Sequence, residues 1–285
     1  KELRLYGVSH VSCKIDGFML DMNNACQKSL EVELPENLHS VINVPRSYGL
    51  CGISGKDGHR TAVCVDFFTG EVKTRAIDVM ALFLTPSNAA VAVVCHDGIC
   101  ALQTLPIEIG ADYMTKSDAL GPVQPTFAMP DGLKPEYFGN YPGVSIGTEE
   151  STSYLLSAKK GDGNWTAVML DKEGFHIMED IAAESLIPFK AGSDAGYIAT
   201  YGGLSLFRLV NPENGTIGQA IYTCKIGQII SATSNSEKPG HILLNVSETS
   251  NGVQIYDLAW NDTKSLSHIT LPNSANDYAE VLMAN

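Results

Sequence analysis

The chain has 285 residues, of which 44% are hydrophobic and 18% charged, so it can bury a sizeable core and is not expected to be disordered. Its formal net charge is −13, and its Lys and Arg residues form no run. This argues against a nucleic-acid partner, because phosphate binding needs clustered cations. No stretch approaches the ~18 apolar residues of a membrane-spanning helix, so we expect no membrane span.

In chain order, short apolar runs rich in Val, Ile, Leu and Tyr alternate with Gly, Asp, Asn and Pro. This texture predicts an all-β fold, either a sandwich or a propeller. Helical periodicity is scarce. The best short helical candidate is MEDIAAESL (178–186), for which a connection between strands is the alternative.

A repeat of hairpins favours the propeller. Three early segments each consist of a strand, an Asp-Gly turn and a second strand, and their glycines are 41 and 40 residues apart: Gly17, Gly58 and Gly98. Later hairpins of the same kind are centred on Gly163, Gly203 and Gly252. A period of this length is typical of one propeller blade per repeat, which predicts a β-propeller of six blades with four antiparallel strands each.

The interval between Gly98 and Gly163 is longer than the other intervals, and its sequence GPVQPTFAMPDGLKPEYFGNYPG (121–143) is rich in Pro and Gly. We interpret residues 111–145 as a long irregular excursion within a single β-propeller domain that covers 1–285. A degenerate seventh blade is the alternative interpretation.

The C-terminal sequence YAEVLMAN (278–285) predicts an isolated strand after the last hairpin. Its apolar side chains are unsuited to an exposed edge. We therefore expect this strand to close the propeller by joining the first blade.

Two cysteine pairs are placed symmetrically about Asp-Gly turns. Counting outward from a two-residue turn puts the members of each pair opposite one another in the non-hydrogen-bonded class, where Cα atoms lie ~4.5 Å apart and within disulfide range. We predict two cross-strand disulfides, Cys51–Cys64 and Cys95–Cys100. Buried free thiols are the alternative. The register leaves three further cysteines without an assigned partner: Cys13, Cys26 and Cys224.

The chain contains four Asn-x-Ser/Thr sequons, at Asn164, Asn214, Asn245 and Asn261. Three of them fall on predicted turns, where a glycan can be carried. Disulfides and sequons both favour the secretory route. We therefore predict a secreted, extracellular glycoprotein.

The chain has no strong catalytic motif: it lacks a Gly-x-Ser-x-Gly elbow, a His-Glu-x-x-His helix and a Cys-x-x-Cys pair. We expect no metal and no cofactor. His59 and Arg60 lie at one turn, and His96 and Asp97 at the equivalent turn of the next blade. Equivalent turns project from the same face, so these four residues are candidates for a rim site with the His, Arg and carboxylate groups that a general acid–base or metal cluster needs. The alternative is that they are ordinary turn residues.

A second candidate site is the aromatic sequence PEYFGNYPG (135–143). Tyr137, Phe138 and Tyr141 stand between prolines and glycines, and aromatic side chains on an irregular loop can stack on sugars or anchor a protein. The alternative is that they pin the loop to the blades.

Three stretches resemble the lactonase-type propellers, the group that contains 6-phosphogluconolactonase and the fungal carboxymuconate cyclases. These stretches are LRLYGVSH with the following FMLDMNNACQKSLEVELPE, SLFRLVNPENGTIGQAI, and HILLNVSETSNGVQIYDL with the final strand. The resemblance implies a propeller fold and a lactonase- or cyclase-like activity at the mouth of the axial channel. No residue of this chain matches a catalytic motif of that group, so no catalytic residue is carried over.

Two functions follow from these observations. The first is a secreted binding module that contacts an extracellular protein or carbohydrate partner through one face and the excursion. The second is a lactonase- or cyclase-like enzyme, which needs ionisable side chains converging at the channel mouth. We favour the binding module, because the motifs assemble no active site and a fold alone implies no activity.

Overall fold

The computed structural model describes residues 3–9, 12–21, 26–43, 49–55, 59–105, 126–148, 150–235, 238–248, 250–272 and 278–284. Over these residues the chain forms six four-stranded antiparallel sheets and one short 3-10 helix, Pro135–Tyr137. The fold is a six-bladed β-propeller, as the sequence predicts, and no seventh sheet is present in the described ranges.

The strand bounds follow the chain order. The strands are β1 (Leu3–Ser9), β2 (Lys14–Leu20), β3 (Cys26–Glu33), β4 (His39–Asn43), β5 (Gly49–Ser54), β6 (Thr61–Asp66), β7 (Val72–Ile77), β8 (Val79–Leu84), β9 (Ala90–His96), β10 (Ile99–Thr104), β11 (Thr126–Ala128), β12 (Val144–Thr148), β13 (Ser151–Lys159), β14 (Trp165–Asp171), β15 (Gly174–Ile181), β16 (Ser185–Ala191), β17 (Asp194–Tyr201), β18 (Leu204–Asn211), β19 (Thr216–Cys224), β20 (Gln228–Ser234), β21 (His241–Glu248), β22 (Gly252–Ala259), β23 (Ser265–Ile269) and β24 (Tyr278–Ala284).

The sheets fall into two compact units. The central unit, 38–181, contains the sheets β4-β5-β6-β7, β11-β10-β9-β8 and β12-β13-β14-β15. The terminal unit, 1–37 with 182–285, contains β24-β1-β2-β3, β16-β17-β18-β19 and β20-β21-β22-β23. The prediction of one domain over 1–285 stays a prediction.

The helical candidate at 178–186 is wrong. Its first residues belong to β15, which pairs with β14 from Trp165 opposite Ile181 to Asp171 opposite Gly174, and its last residues begin β16. Pairing with a neighbouring strand overrides the weak local helical preference of this stretch.

The strand predicted to close the propeller is confirmed. In the terminal unit, β24 pairs antiparallel with β1, with Gly7 opposite Val281. Residues at both ends of the sequence therefore share one sheet, in the order β24-β1-β2-β3.

The first hairpin differs from its prediction. Gly17 lies inside β2, opposite Tyr6, and the chain turns before Lys14 instead of at Asp16-Gly17. Gly17 serves a close cross-strand approach: a Cβ added there would lie 2.9 Å from the Cβ of Leu30 and 3.0 Å from the Tyr6 ring. The same dipeptide therefore has a packing role here and a turn role at Asp97-Gly98.

The excursion is partly a strand. Its residues 126–128 form β11, the outer strand of the third sheet, and Leu133 and Phe138 are buried in the core between the third and fourth sheets. Residues 106–125 lie outside the described residues, so that part of the predicted 111–145 excursion is not described.

Both predicted disulfides are present. Cys51 pairs with Cys64 and Cys95 with Cys100 in the expected registers, with Cα separations of 4.1 Å and 4.0 Å. All four cysteines are buried, and the bonds lie in the cores of the second and third sheets. Among the described residues, no helix has the length and apolar character that crossing a membrane requires.

Candidate interaction surface

The turn between β9 and β10 presents two charged side chains to solvent. Asp97 and Gly98 both have positive φ, 50° and 78°, which is the type I′ geometry that suits a two-residue hairpin. The His96 and Asp97 side chains are 79% and 89% exposed. His96 Nε2 lies 3.3 Å from Asp97 Oδ2, and His96 Nδ1 lies 3.4 Å from Asp78 Oδ2.

Asp78 connects this turn to the preceding hairpin. It lies between β7 and β8 with a positive φ of 54°. Its carbonyl accepts a hydrogen bond from the Cys95 amide at 2.9 Å, and the next amide, that of Val79, donates to the Arg60 carbonyl at 3.1 Å. The hairpin segments that carry Arg60 and Cys95 are thus both hydrogen-bonded to the adjacent residues Asp78 and Val79.

Two exposed isoleucines adjoin these turns, and neither was predicted from the sequence to be a site residue. Ile77 at the end of β7 is 66% exposed, and Ile99 at the start of β10 is 57% exposed. Ile77 lies opposite Thr61, two residues after the exposed His59, and Ile99 lies opposite His96. In the sequence each isoleucine stands next to a turn residue, Asp78 or Gly98. An isoleucine at the end of a strand is usually predicted to be buried, so the sequence pattern did not indicate its exposure.

We define the rim surface as six residues that these two hairpins and their connection carry, of which Asp78 is partly buried and the others are exposed: His59, Ile77, Asp78, His96, Asp97 and Ile99. It combines aliphatic, imidazole and carboxylate groups. Over the described ranges, no group of three or more His, Cys, Asp or Glu side chains is arranged to hold a metal ion. The His96 contacts with two exposed carboxylates are well solvated and therefore weak individually.

Arg60 does not face solvent as a binding residue. Its guanidinium donates hydrogen bonds to two backbone carbonyls of the excursion, that of Phe138 and, at 2.6 Å, that of Glu136. The hydroxyl of Ser40 donates to the Gly139 carbonyl at 2.6 Å. Arg60 therefore positions the excursion, and it contributes its backbone but not its side chain to the rim.

The three predicted aromatic residues do not form one exposed surface. Phe138 is 1% exposed and belongs to the core, which corrects its assignment as a binding residue. Tyr137 is half-buried against that core, and the half-buried Tyr141 ring lies 5.7 Å from the buried Trp165 ring. This arrangement agrees with the alternative interpretation, in which the aromatic side chains hold the loop against the blades.

The four sequons differ in exposure. Asn164, Asn214 and Asn261 are exposed in turns. Asn245 is fully buried in β21, where its side-chain amide donates to the Tyr278 carbonyl at 2.6 Å. The folded protein has no room for a glycan on a buried strand residue, so the prediction of Asn245 as a glycosylation site is wrong.

The three remaining cysteines are unpaired thiols. Cys13 and Cys26 lie at opposite ends of β2, which separates them by roughly 20 Å. Burial and, secondarily, the Asp21 charge raise the pKa of the Cys26 thiol to about 11, so it stays protonated and unreactive.

A second polar cluster, which no sequence motif predicts, lies on the sheet β20-β21-β22-β23. The Tyr256 hydroxyl donates to the Glu248 carboxylate, and Asn251 Nδ2 donates to the same carboxylate at 2.8 Å. The His268 ring lies 5.2 Å from the Tyr256 ring. Burial and the Glu248 hydrogen bond raise the pKa of Tyr256 to about 12, so the phenol stays protonated at neutral pH, which favours a structural role.

Comparisons with known proteins place these features in a family. The model of the DUF4784 WD40-like domain matches residues 18–237. The solved structure of a DUF4784 family protein from Bacteroides caccae is 26% identical, with a TM-score of 0.81 over 100% of this chain and 74% of that chain. No curated protein matches the chain.

Two more distant structures share the fold. A second Bacteroides caccae protein, of unknown function, is 9% identical with a TM-score of 0.62 over 100% of this chain and 99% of that one. A 6-phosphogluconolactonase-like protein from Bacteroides uniformis is 12% identical with a TM-score of 0.53 over 99% of each chain. At these identities the likeness to the lactonase-type propellers concerns the fold alone.

Proposed function

The chain belongs to the DUF4784 WD40-like domain family, and from that premise we propose that it is a secreted binding module whose rim surface docks an extracellular protein. The observation that carries this proposal is the exposure of Ile77 and Ile99 beside His96 and Asp97 on two adjoining hairpins. Interfaces join apolar anchors to a polar, solvated margin, and the rim surface has both.

A protein partner fits this surface better than a carbohydrate. Sugar rings are held chiefly by stacking on exposed aromatic side chains. The rim surface contains none, and its apolar groups are aliphatic. The half-buried Tyr137 and Tyr141 pack against their own core and against Trp165, respectively. A carbohydrate ligand is therefore an outcome of the test and not the proposal.

The extracellular part of the proposal is supported by the two buried disulfides, which form and persist in oxidising compartments. The exposed sequons at Asn164, Asn214 and Asn261 are compatible with glycosylation on that route.

The test uses the tagged chain recovered from its native source. We expect it in the extracellular fraction with both disulfides formed, and we expect it to bind a protein that is then purified for titration. Ile77→Ser with Ile99→Ser should weaken that binding by about tenfold or more, because interface anchors contribute a large share of affinity.

The matched control is Ile177→Ser with Ile221→Ser, which removes two isoleucines that are 48% and 51% exposed and are not part of the rim surface. Equal affinities for the two double variants would contradict the proposed surface. Recovery of the chain inside the cell with reduced thiols would contradict the compartment. If the chain bound a glycan and no protein, the proposed protein partner would be wrong and the partner would be a carbohydrate.

A further inference from the structure

Both disulfides close the two hairpins that carry the rim surface. Cys95 and Cys100 enclose only residues 96–99, which include three of the six rim residues, and Cys51 and Cys64 enclose the segment that contains His59. The chain's three other cysteines are free, so no other hairpin is closed in this way. Four of the six rim residues, His59, His96, Asp97 and Ile99, therefore lie within the segments that the disulfides close, and Ile77 and Asp78 lie in the connection between those segments.

The position of the two bonds is poorly suited to global stabilisation. Each joins neighbouring strands of one sheet that are already hydrogen-bonded to each other, over sequence separations of 13 and 5. A cross-link constrains the unfolded chain most when it closes a long loop. Short links of this kind act mainly on the local geometry of the hairpin.

The sulfur atoms anchor the hairpins in the core. Cys51 and Cys100 are fully buried, and Cys95 is 9% exposed, with its Sγ 3.5 Å from the Sδ of the buried Met80. The end of the third-sheet hairpin at His96–Ile99 thus protrudes directly from a fixed base. A six-residue loop closed at a buried base has few alternative conformations.

The two hairpins are also joined to each other. The Asp78 carbonyl accepts from the Cys95 amide at 2.9 Å, and the Asp78 carboxylate lies 3.4 Å from His96 Nδ1. Since Val79 donates to the Arg60 carbonyl, a disturbance of either hairpin reaches the other through this connection.

We propose that the two disulfides preorganise the rim surface, so that partner binding orders little of the protein and the affinity depends on the closed hairpins. This inference rests on the proposed function, because it concerns how the two disulfides affect binding at the same rim surface. Preorganisation strengthens binding by reducing the conformational entropy that is lost on association.

The experiment compares the wild-type chain with Cys95→Ala/Cys100→Ala and with Cys51→Ala/Cys64→Ala. Amide hydrogen exchange of residues 96–99 should accelerate by about tenfold or more in the first variant, while β12–β14 keep wild-type exchange. The affinity for the purified partner should fall by about tenfold or more in both variants.

Gly7→Ala provides a control of comparable overall destabilisation, because its Cβ would meet the Tyr278 ring at 2.6 Å in the terminal unit, which contributes no residue to the rim surface. An equal loss of affinity in this control would overturn the proposal, as would unchanged exchange at 96–99. Failure of the proposed function gives a different result: Ile77→Ser/Ile99→Ser would then bind normally, whatever the exchange data show.

A variant with both disulfides intact covers the case in which a cysteine variant does not fold. Asp78→Ala removes the carboxylate that faces His96 and leaves every cysteine in place. We expect it to accelerate exchange at 96–99 and to weaken partner binding. Wild-type values for both quantities would overturn the coupling of the two hairpins.

Discussion

At the scale of single residues, Tyr256 and Glu248 show how one hydrogen bond shifts two titrations in opposite directions. The hydrogen bond from Tyr256, followed by that from Asn251, lowers the pKa of Glu248 because both stabilise the carboxylate. Burial and the same hydrogen bond raise the pKa of Tyr256 to about 12 because they favour the neutral phenol. The pair links the end of β21 to the middle of β22 on the outer part of one sheet.

Tyr256→Phe should lower the free energy of unfolding by about 1 kcal/mol at pH 7, because the charged acceptor loses a donor. A lowered carboxylate pKa contributes stability above the unfolded value of 4.5 and loses it as the pH falls through the folded value. The difference between wild type and variant should therefore shrink below about pH 4.5. Urea unfolding at pH 7 and pH 3 measures it, and Tyr201→Phe, at an exposed tyrosine, is the control. A difference that grows in acid would refute this assignment.

At the scale of elements, one arginine determines how the excursion lies on its blades. Arg60 donates to the carbonyls of Glu136 and Phe138, and Gly143 donates to the Leu82 carbonyl at 2.8 Å. Gly139 has a positive φ of 86°, and a Cβ there would lie 2.5 Å from the Arg60 guanidinium. The segment is thus held by these backbone contacts together with the buried side chains of Leu133 and Phe138.

Arg60→Ala should release the segment 134–140 without unfolding the sheets, because the strands keep their own ladders. We expect faster amide exchange and earlier proteolytic cleavage within 134–140. Arg208→Ala is the matched control, since Arg208 also donates to a backbone carbonyl, that of Gly218 at 2.8 Å, in the terminal unit. Protection of 134–140 equal to wild type would show that the Arg60 hydrogen bonds do not hold the segment.

At the scale of the whole molecule, the sheet that contains both chain ends closes through a noncovalent contact. The Tyr278 ring lies over Gly7, and its hydroxyl donates to the buried Asp16 carboxylate at 2.6 Å. Lys28 Nζ lies 3.1 Å from the other oxygen of Asp16. Glycine at position 7 is required because any larger side chain would occupy the space of the ring. The closure therefore depends on β24 and on Tyr278, whereas the disulfides lie in other sheets.

Tyr278→Phe should lower the free energy of unfolding by about 1–3 kcal/mol, because a buried carboxylate loses a donor. Amide exchange should rise in β24 and β1 and not in β12–β14. Tyr154→Phe, at a half-buried tyrosine of the central unit, controls for loss of a hydroxyl. If the variant kept wild-type stability and wild-type amide exchange in β24, the Tyr278 hydroxyl would not stabilise the closure of this sheet.

Much of the candidate site followed from the sequence, and the remainder did not. The Asp97-Gly98 turn and the strand pairing of both hairpins were predictable because hairpin register is fixed by the turn, and the Asp57-Gly58 turn itself lies outside the described residues. The exposure of Ile77 and Ile99 was not, because a side chain at a strand end is buried or exposed according to what packs beside it. The roles of Arg60 and Phe138 likewise depend on where the excursion lies, and no local pattern encodes that position.

By itself, the sequence determined the all-β class, the repeat of four-stranded sheets, the closing strand and both disulfide pairings, because turn geometry and the two-residue period of a strand act over short distances. Tertiary structure alone decided that Gly17 packs inside a strand, that 178–186 is extended and that Asn245 is buried. It also brought Asp78 to His96. Each of these depends on contacts between distant residues, whose geometry exists only once the sheets have formed.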